Sequence, residues 1–179
     1  MAMLIRHAGL RISTLEGDSH ADQSPERLSH GHALRDRARL GCLPAFLADA
    51  FGAEELARVA GEDGTIGHAE TRIGDSVVMM FDAKPDWPDT PAFLRIYVDD
   101  ADAAFDRALQ AGATSVTDLG DMPWGDRTGR VRDPLGNLWW IMSRVEDLTE
   151  DEIAARMSDP TYLEALTRAE SSEFFPVSK

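Results

Sequence analysis

The stretch Trp124–Met142, WGDRTGRVRDPLGNLWWIM, holds two strand-like segments, Thr128–Arg132 and Leu138–Met142, on either side of Asp133-Pro134-Leu135-Gly136-Asn137. Proline presets φ early in a turn, and glycine takes positive φ at no steric cost, so this composition predicts a hairpin. The first strand carries arginines and the second two tryptophans. Such a hairpin packs one face on a core and presents aromatic and cationic groups on the other.

Upstream, Leu43, Phe46, Leu47 and Ala50 recur at helical spacing, with Pro44 in the first turn and Gly52 as a stop. Strands follow at Glu55–Ala60, Ile66–Ile73 and Ser76–Phe81, separated by the turn signals Gly61-Glu62-Asp63-Gly64 and Gly74-Asp75. The proline-rich loop Asp82–Pro91 joins a second half that repeats the pattern. Phe93–Val98 reads as a strand, and Asp99 and Asp100 cap a helix through Ala111 whose apolar face includes Ala103, Ala104 and Leu109. Gly112 ends that helix, and Thr114–Leu119 is a strand leading into the hairpin. Each half thus reads as strand, helix and three strands, except that the opening strand of the first half is not evident. Met3–Leu15 is compatible with a short strand or helix. Asp18–Arg39 is polar and lacks a period. Beyond Val145, Thr149 and Glu152 form a capping box, Pro160 starts another helix, and Phe174-Phe175 is an apolar anchor. The expected organisation is a poorly defined segment over 1–40, a domain over 41–147 and a helical tail over 148–179.

The 179-residue chain carries 32 acidic against 18 basic residues, a net charge of −14. Nucleic acid and anionic membranes reward clustered Lys and Arg, so neither is an expected partner. No apolar run approaches the length needed to span a bilayer, and Arg6, His7 and Arg11 interrupt any leader-like segment. The expected location is the cytoplasm. The single cysteine, Cys42, excludes an intrachain disulfide and a Cys-rich zinc site, and is expected as a small buried residue. His30 and His32 stand two apart, but no carboxylate lies at a matching spacing. They are read, with His7 and His20, as solvated.

The motifs GHAETRIGDSVVMMFD, YVDDADAAFDRALQAGA and WGDRTGRVRDPLGNLWWI, in this order, resemble the vicinal oxygen chelate superfamily of glyoxalases, bleomycin resistance proteins and extradiol dioxygenases. The likeness is nearest to its PhnB-like branch, which the tail SRVEDLTEDEIAARM also resembles, and it covers roughly Leu43 to Met157. It implies an α+β fold of paired βαβββ modules whose curved sheets enclose a cavity, and a homodimer. Metal-dependent relatives place ligands on the first and last strands of each module. The three positions that can be carried over are here Met79, Phe93 and Trp140, whose side chains cannot hold a hard or borderline divalent ion. No metal and no cofactor are therefore expected.

Residues two apart on a strand share a face. If Met79, Phe93 and Trp140 face the cavity, so do Val77, Phe81, Arg95, Tyr97, Leu138 and Met142, while Leu94, Ile96, Val98, Trp139 and Ile141 pack under the helices. On Ile66–Ile73, Ala69, Thr71 and Ile73 point inward, and His68, Glu70 and Arg72 take the cavity side. An aromatic, Met-lined wall with a few polar groups suits a small-molecule site, although the same residues also suit a closed core. His68 and Glu70 read as a mutually bonded pair or as a general acid and base, the only catalytic candidates. Arg127 either pairs with Asp126 or closes with Trp124 over an aromatic or anionic ligand. Arg130 and Arg132 read as surface charges. The leading reading is a metal-free protein binding a small aromatic or amphipathic molecule. The alternatives are a metal-dependent lyase, isomerase or dioxygenase with unorthodox ligands, and a degenerate or structural member without a ligand. The last is suggested by the basic run His30–Arg39, which stands where the first strand is expected.

Overall fold

In a computed structural model, residues 2–5 and 42–171 are described, save 85 and 89. The element order is β1 (Ala2–Ile5), α1 (Leu43–Phe51), β2 (Glu54–Ala60), β3 (Ile66–Ile73), β4 (Ser76–Met80), β5 (Phe93–Tyr97), α2 (Ala101–Gln110), β6 (Thr114–Asp121), β7 (Asp126–Arg132), β8 (Leu138–Arg144), α3 (Glu150–Arg156) and α4 (Pro160–Ser171). His7, His20, His30, His32 and the Phe174-Phe175 anchor lie outside the described residues.

Local chemistry sets the boundaries. Pro44 starts α1, and Gly52 ends it at φ 65°, a left-handed conformation that glycine adopts without a Cβ penalty. The Asp100 carboxylate accepts the Ala103 amide at the start of α2. The capping box of Thr149 and Glu152 opens α3. Cys42, expected to be buried, is exposed: it occupies the N-cap of α1, ahead of the helix's buried face. On α2 the buried face is Ala101, Ala104, Phe105 and Ala108, and Leu109 points outward.

The strands form two four-stranded sheets of matching order, β1-β4-β3-β2 and β5-β8-β7-β6. They differ at one edge. β5 runs parallel to β8, whereas β1 runs antiparallel to β4, with Met3 opposite Met79. The strand missing from the sequence reading is thus filled, in the same place but in the opposite direction.

Helices α1 and α2 pack on each other, and each sheet turns one face to them. One core results: Leu43, Phe46 and Leu47 from α1, Ala69, Val78 and Met80 from the N-terminal sheet, and Leu94, Ile96, Trp139 and Ile141 from the C-terminal sheet. The ring of Phe51 meets Trp139 at 5.3 Å between centroids, and Arg107 of α2 donates to the Ala50 carbonyl at the end of α1. The alternation expected for Leu94, Ile96, Trp139, Ile141, Ala69, Thr71 and Ile73 agrees with their burial. Because the helices fill the space between the sheets, the opposite sheet faces look away from each other. A cavity enclosed by both sheets of one chain is therefore not formed.

The central hairpin turn is held by one carboxylate. Asp133 is buried; its Oδ1 accepts the Leu135 and Asn137 amides at 2.8 and 2.9 Å, and its Oδ2 accepts Asn137 Nδ2 and Trp139 Nε1, both at 2.9 Å. Asn137 Oδ1 in turn accepts the Ala92 amide at 3.0 Å, fixing the chain as it enters β5.

Candidate functional site

Strand register lays the outer face of the C-terminal sheet out in rows. Phe93, Leu138 and Arg132 form one; Arg95, Trp140 and Arg130 the next; Tyr97, Met142 and Thr128 a third; and Arg144 lies opposite Asp126 beyond them. Within the second row the guanidinium carbons of Arg95 and Arg130 each lie 3.9 Å from the Trp140 ring centroid, approaching from the two strands that flank β8. Flat cations over an indole gain from its quadrupole and from stacking. Phe93 and Tyr97 are 45% and 61% exposed, so β5 offers aromatic surface beside this stack. Met142 is buried.

Arg130, read from sequence as a surface charge, is buried. Its Nη1 donates to Thr117 Oγ1 at 3.2 Å and to the Ala169 carbonyl of α4 at 2.9 Å. Burial, and then the like charge of Arg95, holds its pKa below the usual arginine value. The sequence did carry a signal for this position. A hairpin closing at Arg132 and Leu138 must place Arg130 opposite Trp140. What it could not supply was α4, whose Ala165 and Ala169 are buried and whose Ala165 lies close to Gly120 of β6.

At the far end of the face, Tyr97 OH donates to buried Asp126 at 2.9 Å, and Arg144 approaches the other oxygen of that carboxylate at 3.2 Å. Arg144 also donates to the Trp124 carbonyl at 2.6 Å, which anchors the loop carrying Trp124. Desolvation, and then the bond to Asp126, raises the Tyr97 phenol above its usual pKa. The ring is exposed, but its hydroxyl rests on a buried carboxylate.

Arg127 does not join this face. It points to the helix side of β7, where its guanidinium engages Asp102 of α2 at 2.7 Å and Asp121 at 3.0 Å. The alternative pairing with Asp126 is not formed either, because adjacent strand residues face opposite ways. Arg127 ties β7 to α2 and to Asp121 of β6, so the expectation that it closes with Trp124 over a ligand is not met on this face.

The remaining candidates sit on the outer face of the N-terminal sheet. Glu70 lies opposite Met79 in the register, and His68 Nε2 and Glu70 Oε1 are 2.9 Å apart. Phe81 follows β4 and meets Trp87 edge-on at 6.2 Å. One chain therefore brings together Phe93, Arg95, Tyr97, Trp140 and Met142, and separately His68, Glu70, Met79 and Phe81. The helix layer divides the two groups.

The metal of the superfamily's enzymes does not fit these positions. Phe93 and Trp140 supply no suitable donor, and the two guanidinium groups on Trp140 repel a cation. Among the described residues, no group of three or more His, Cys, Asp and Glu is arranged to hold a metal ion. Two concavities lie elsewhere. A groove of about 470 Å³ between β6 and α4 includes Thr117, Met122 and Ala165, and one of about 380 Å³ between the two halves includes Phe51, Tyr97 and Arg107. On the Trp140 face, Phe93, Arg95 and Tyr97 of β5 are exposed, while Leu138 and Met142 of β8 are buried. No helix among the described residues is long and apolar enough to cross a membrane.

Comparison with known proteins agrees with this architecture. The sequence profile of the Glyoxalase/Bleomycin resistance protein/Dioxygenase superfamily matches residues 44–141, and the chain belongs to that superfamily. The uncharacterized protein Rv0887c of Mycobacterium tuberculosis is 44% identical over 124 residues, 63% of this chain and 73% of that protein. The uncharacterized protein Mb0911c of Mycobacterium bovis is equally similar, with 82% of its length covered. Among solved structures, TioX from Micromonospora sp. ML1 is similar at 31% identity and a TM-score of 0.50, covering 60% of this chain and 91% of TioX.

Proposed function

We propose that this superfamily member, of the PhnB-like branch, binds a small aromatic or amphipathic molecule without a metal, on the outer face of its C-terminal sheet. The observation that carries this reading is Trp140. It stands where metal-dependent relatives place a ligand, and it is instead clamped between two guanidinium groups beside the exposed rings of Phe93 and Tyr97. Polarisable flat surfaces with few, well-placed polar groups are the composition of small-molecule sites. A single chain supplies only one wall, so a second copy is proposed to close the site with its N-terminal sheet, bringing Met79, Phe81, His68 and Glu70 to the ligand.

A ligand that binds only the native state raises its stability by about 2.7 kcal/mol at a hundred times Kd. Thermal melts of the purified protein against a panel of planar aromatic compounds are expected to reveal such a shift, which W140A abolishes. Light scattering in solution is expected to give twice the chain mass. A panel without any shift, together with stabilisation by a divalent ion, would favour the metal-dependent enzyme instead.

A further inference from the structure

Resting on the binding reading above, we propose that the Arg95–Trp140–Arg130 row makes this face selective for an aromatic carboxylate, with the acid group on Arg95 and the ring beside Phe93 and Tyr97. The row runs against the charge of the molecule. The chain carries 14 more acidic than basic residues, yet two guanidinium groups converge on one indole. Several other surface arginines are matched with acids: Arg58 with Glu55, Arg72 with Glu54, Arg156 with Glu146. Arg95 has no ion pair among the described residues, and its contact there is the Trp140 ring.

One further observation adds to this. Arg130 is buried beside a like charge, and an anion at Arg95 would offset that repulsion. Arg95 is also prepared for the task. Stacking on the indole restricts its planar fork, so less side-chain freedom is lost when a carboxylate accepts two of its N–H groups. A neutral aromatic gains only the ring contacts, and a cationic one meets repulsion.

The test uses the full chain and three probes of one shape: 2-naphthoate, 2-naphthamide and 2-naphthylmethylammonium, titrated by calorimetry. The acid is expected to bind about tenfold or more tighter than the amide, as a charge-assisted pair provides, and the ammonium weakest. The acid's advantage should shrink as salt rises from about 0.05 to 0.5 M. R95M is expected to reduce naphthoate affinity to the level of the amide, with R95K intermediate; unchanged melting curves for both variants show that the fold is intact. Equal binding of acid and amide would overturn the anion selectivity and leave the aromatic-binding reading standing. Acid-selective binding that survives R95M would place the acid away from this row and overturn the proposal. Failure of all three probes to bind would count against both readings.

Discussion

Asp133 accepts the indole N–H of Trp139 at 2.9 Å, so the residue that closes the hairpin turn also satisfies the buried donor at the centre of the core. The same carboxylate holds two turn amides. D133A leaves these donors without their partner, and hydrogen bonds to a charged group contribute about 1.5–3 kcal/mol each. A loss of roughly 3 kcal/mol is expected, read by urea unfolding, with Tm lowered by about 6–12 °C. A loss under about 1 kcal/mol would mean that water replaces the carboxylate.

Gly125 and Gly52 both have positive φ, at 87° and 65°, but their surroundings differ. A Cβ at Gly125 would lie 2.3 Å from the Glu146 carbonyl oxygen, whereas one at Gly52 meets nothing within 4 Å. G52A is expected to cost about 1–2 kcal/mol, the left-handed backbone penalty alone. G125A adds a clash between backbone atoms and is expected to cost roughly 3 kcal/mol or more. Parallel denaturation curves check the difference, and equal costs would refute it.

The raised pKa of Tyr97 fixes the sign of an alkaline effect. The phenol is neutral when it donates to Asp126, so its stabilisation is fully present below the unfolded value near pH 10 and is lost as pH rises through the higher folded value. Tyr97 is one of only two tyrosines in the chain, so ultraviolet titration can follow it. The expected spectrum shows a step above pH 10 that Y97F removes, together with part of the alkaline loss of stability.

On the helix side, Arg127 holds the Asp102 carboxyl below its usual range, chiefly through their side-chain hydrogen bond. Stability from this pair is present above the unfolded pKa near 4 and falls as pH drops through the lower folded value. The groups are partly exposed, so R127A is expected to cost no more than about 1 kcal/mol at neutral pH, less in high salt. It should flatten the acid limb of the stability profile and leave ligand affinity unchanged. A large loss of affinity would restore Arg127 to the binding face.

Most elements were legible because their signals are local. Ile66–Ile73 has turn residues on both sides, Gly52 ends one helix and Asp100 starts another by their own chemistry, and Thr149 with Glu152 writes its cap into four residues. The opening strand was not. Ala2–Ile5 is too short to show a period, and its pairing lies with Val77–Met80 far along the chain. The shared face of Phe93, Arg95, Tyr97, Trp140 and Met142 followed from alternation, but the placement of Arg127 on the helix side and the division of the site into two groups did not, because both depend on where α1 and α2 pack. Arg130 departs from its expected surface position for a related reason: its partner carbonyl, Ala169, belongs to a helix that contacts the sheet only in three dimensions.

The adjacent tryptophans of β8 have a consequence for pairing. Leu138, Trp140 and Met142 on one face are as apolar as Trp139 and Ile141 on the other. A slip of one residue would exchange the faces with little change in buried hydrocarbon, so hydrophobic pattern alone leaves this strand nearly degenerate. Polar geometry breaks the degeneracy. Only one alignment puts one indole N–H on Asp133 and the other indole between Arg95 and Arg130. The charged residues around WW thus act as an alignment key for the strand, discriminating against a misthreaded sheet that burial by itself would tolerate.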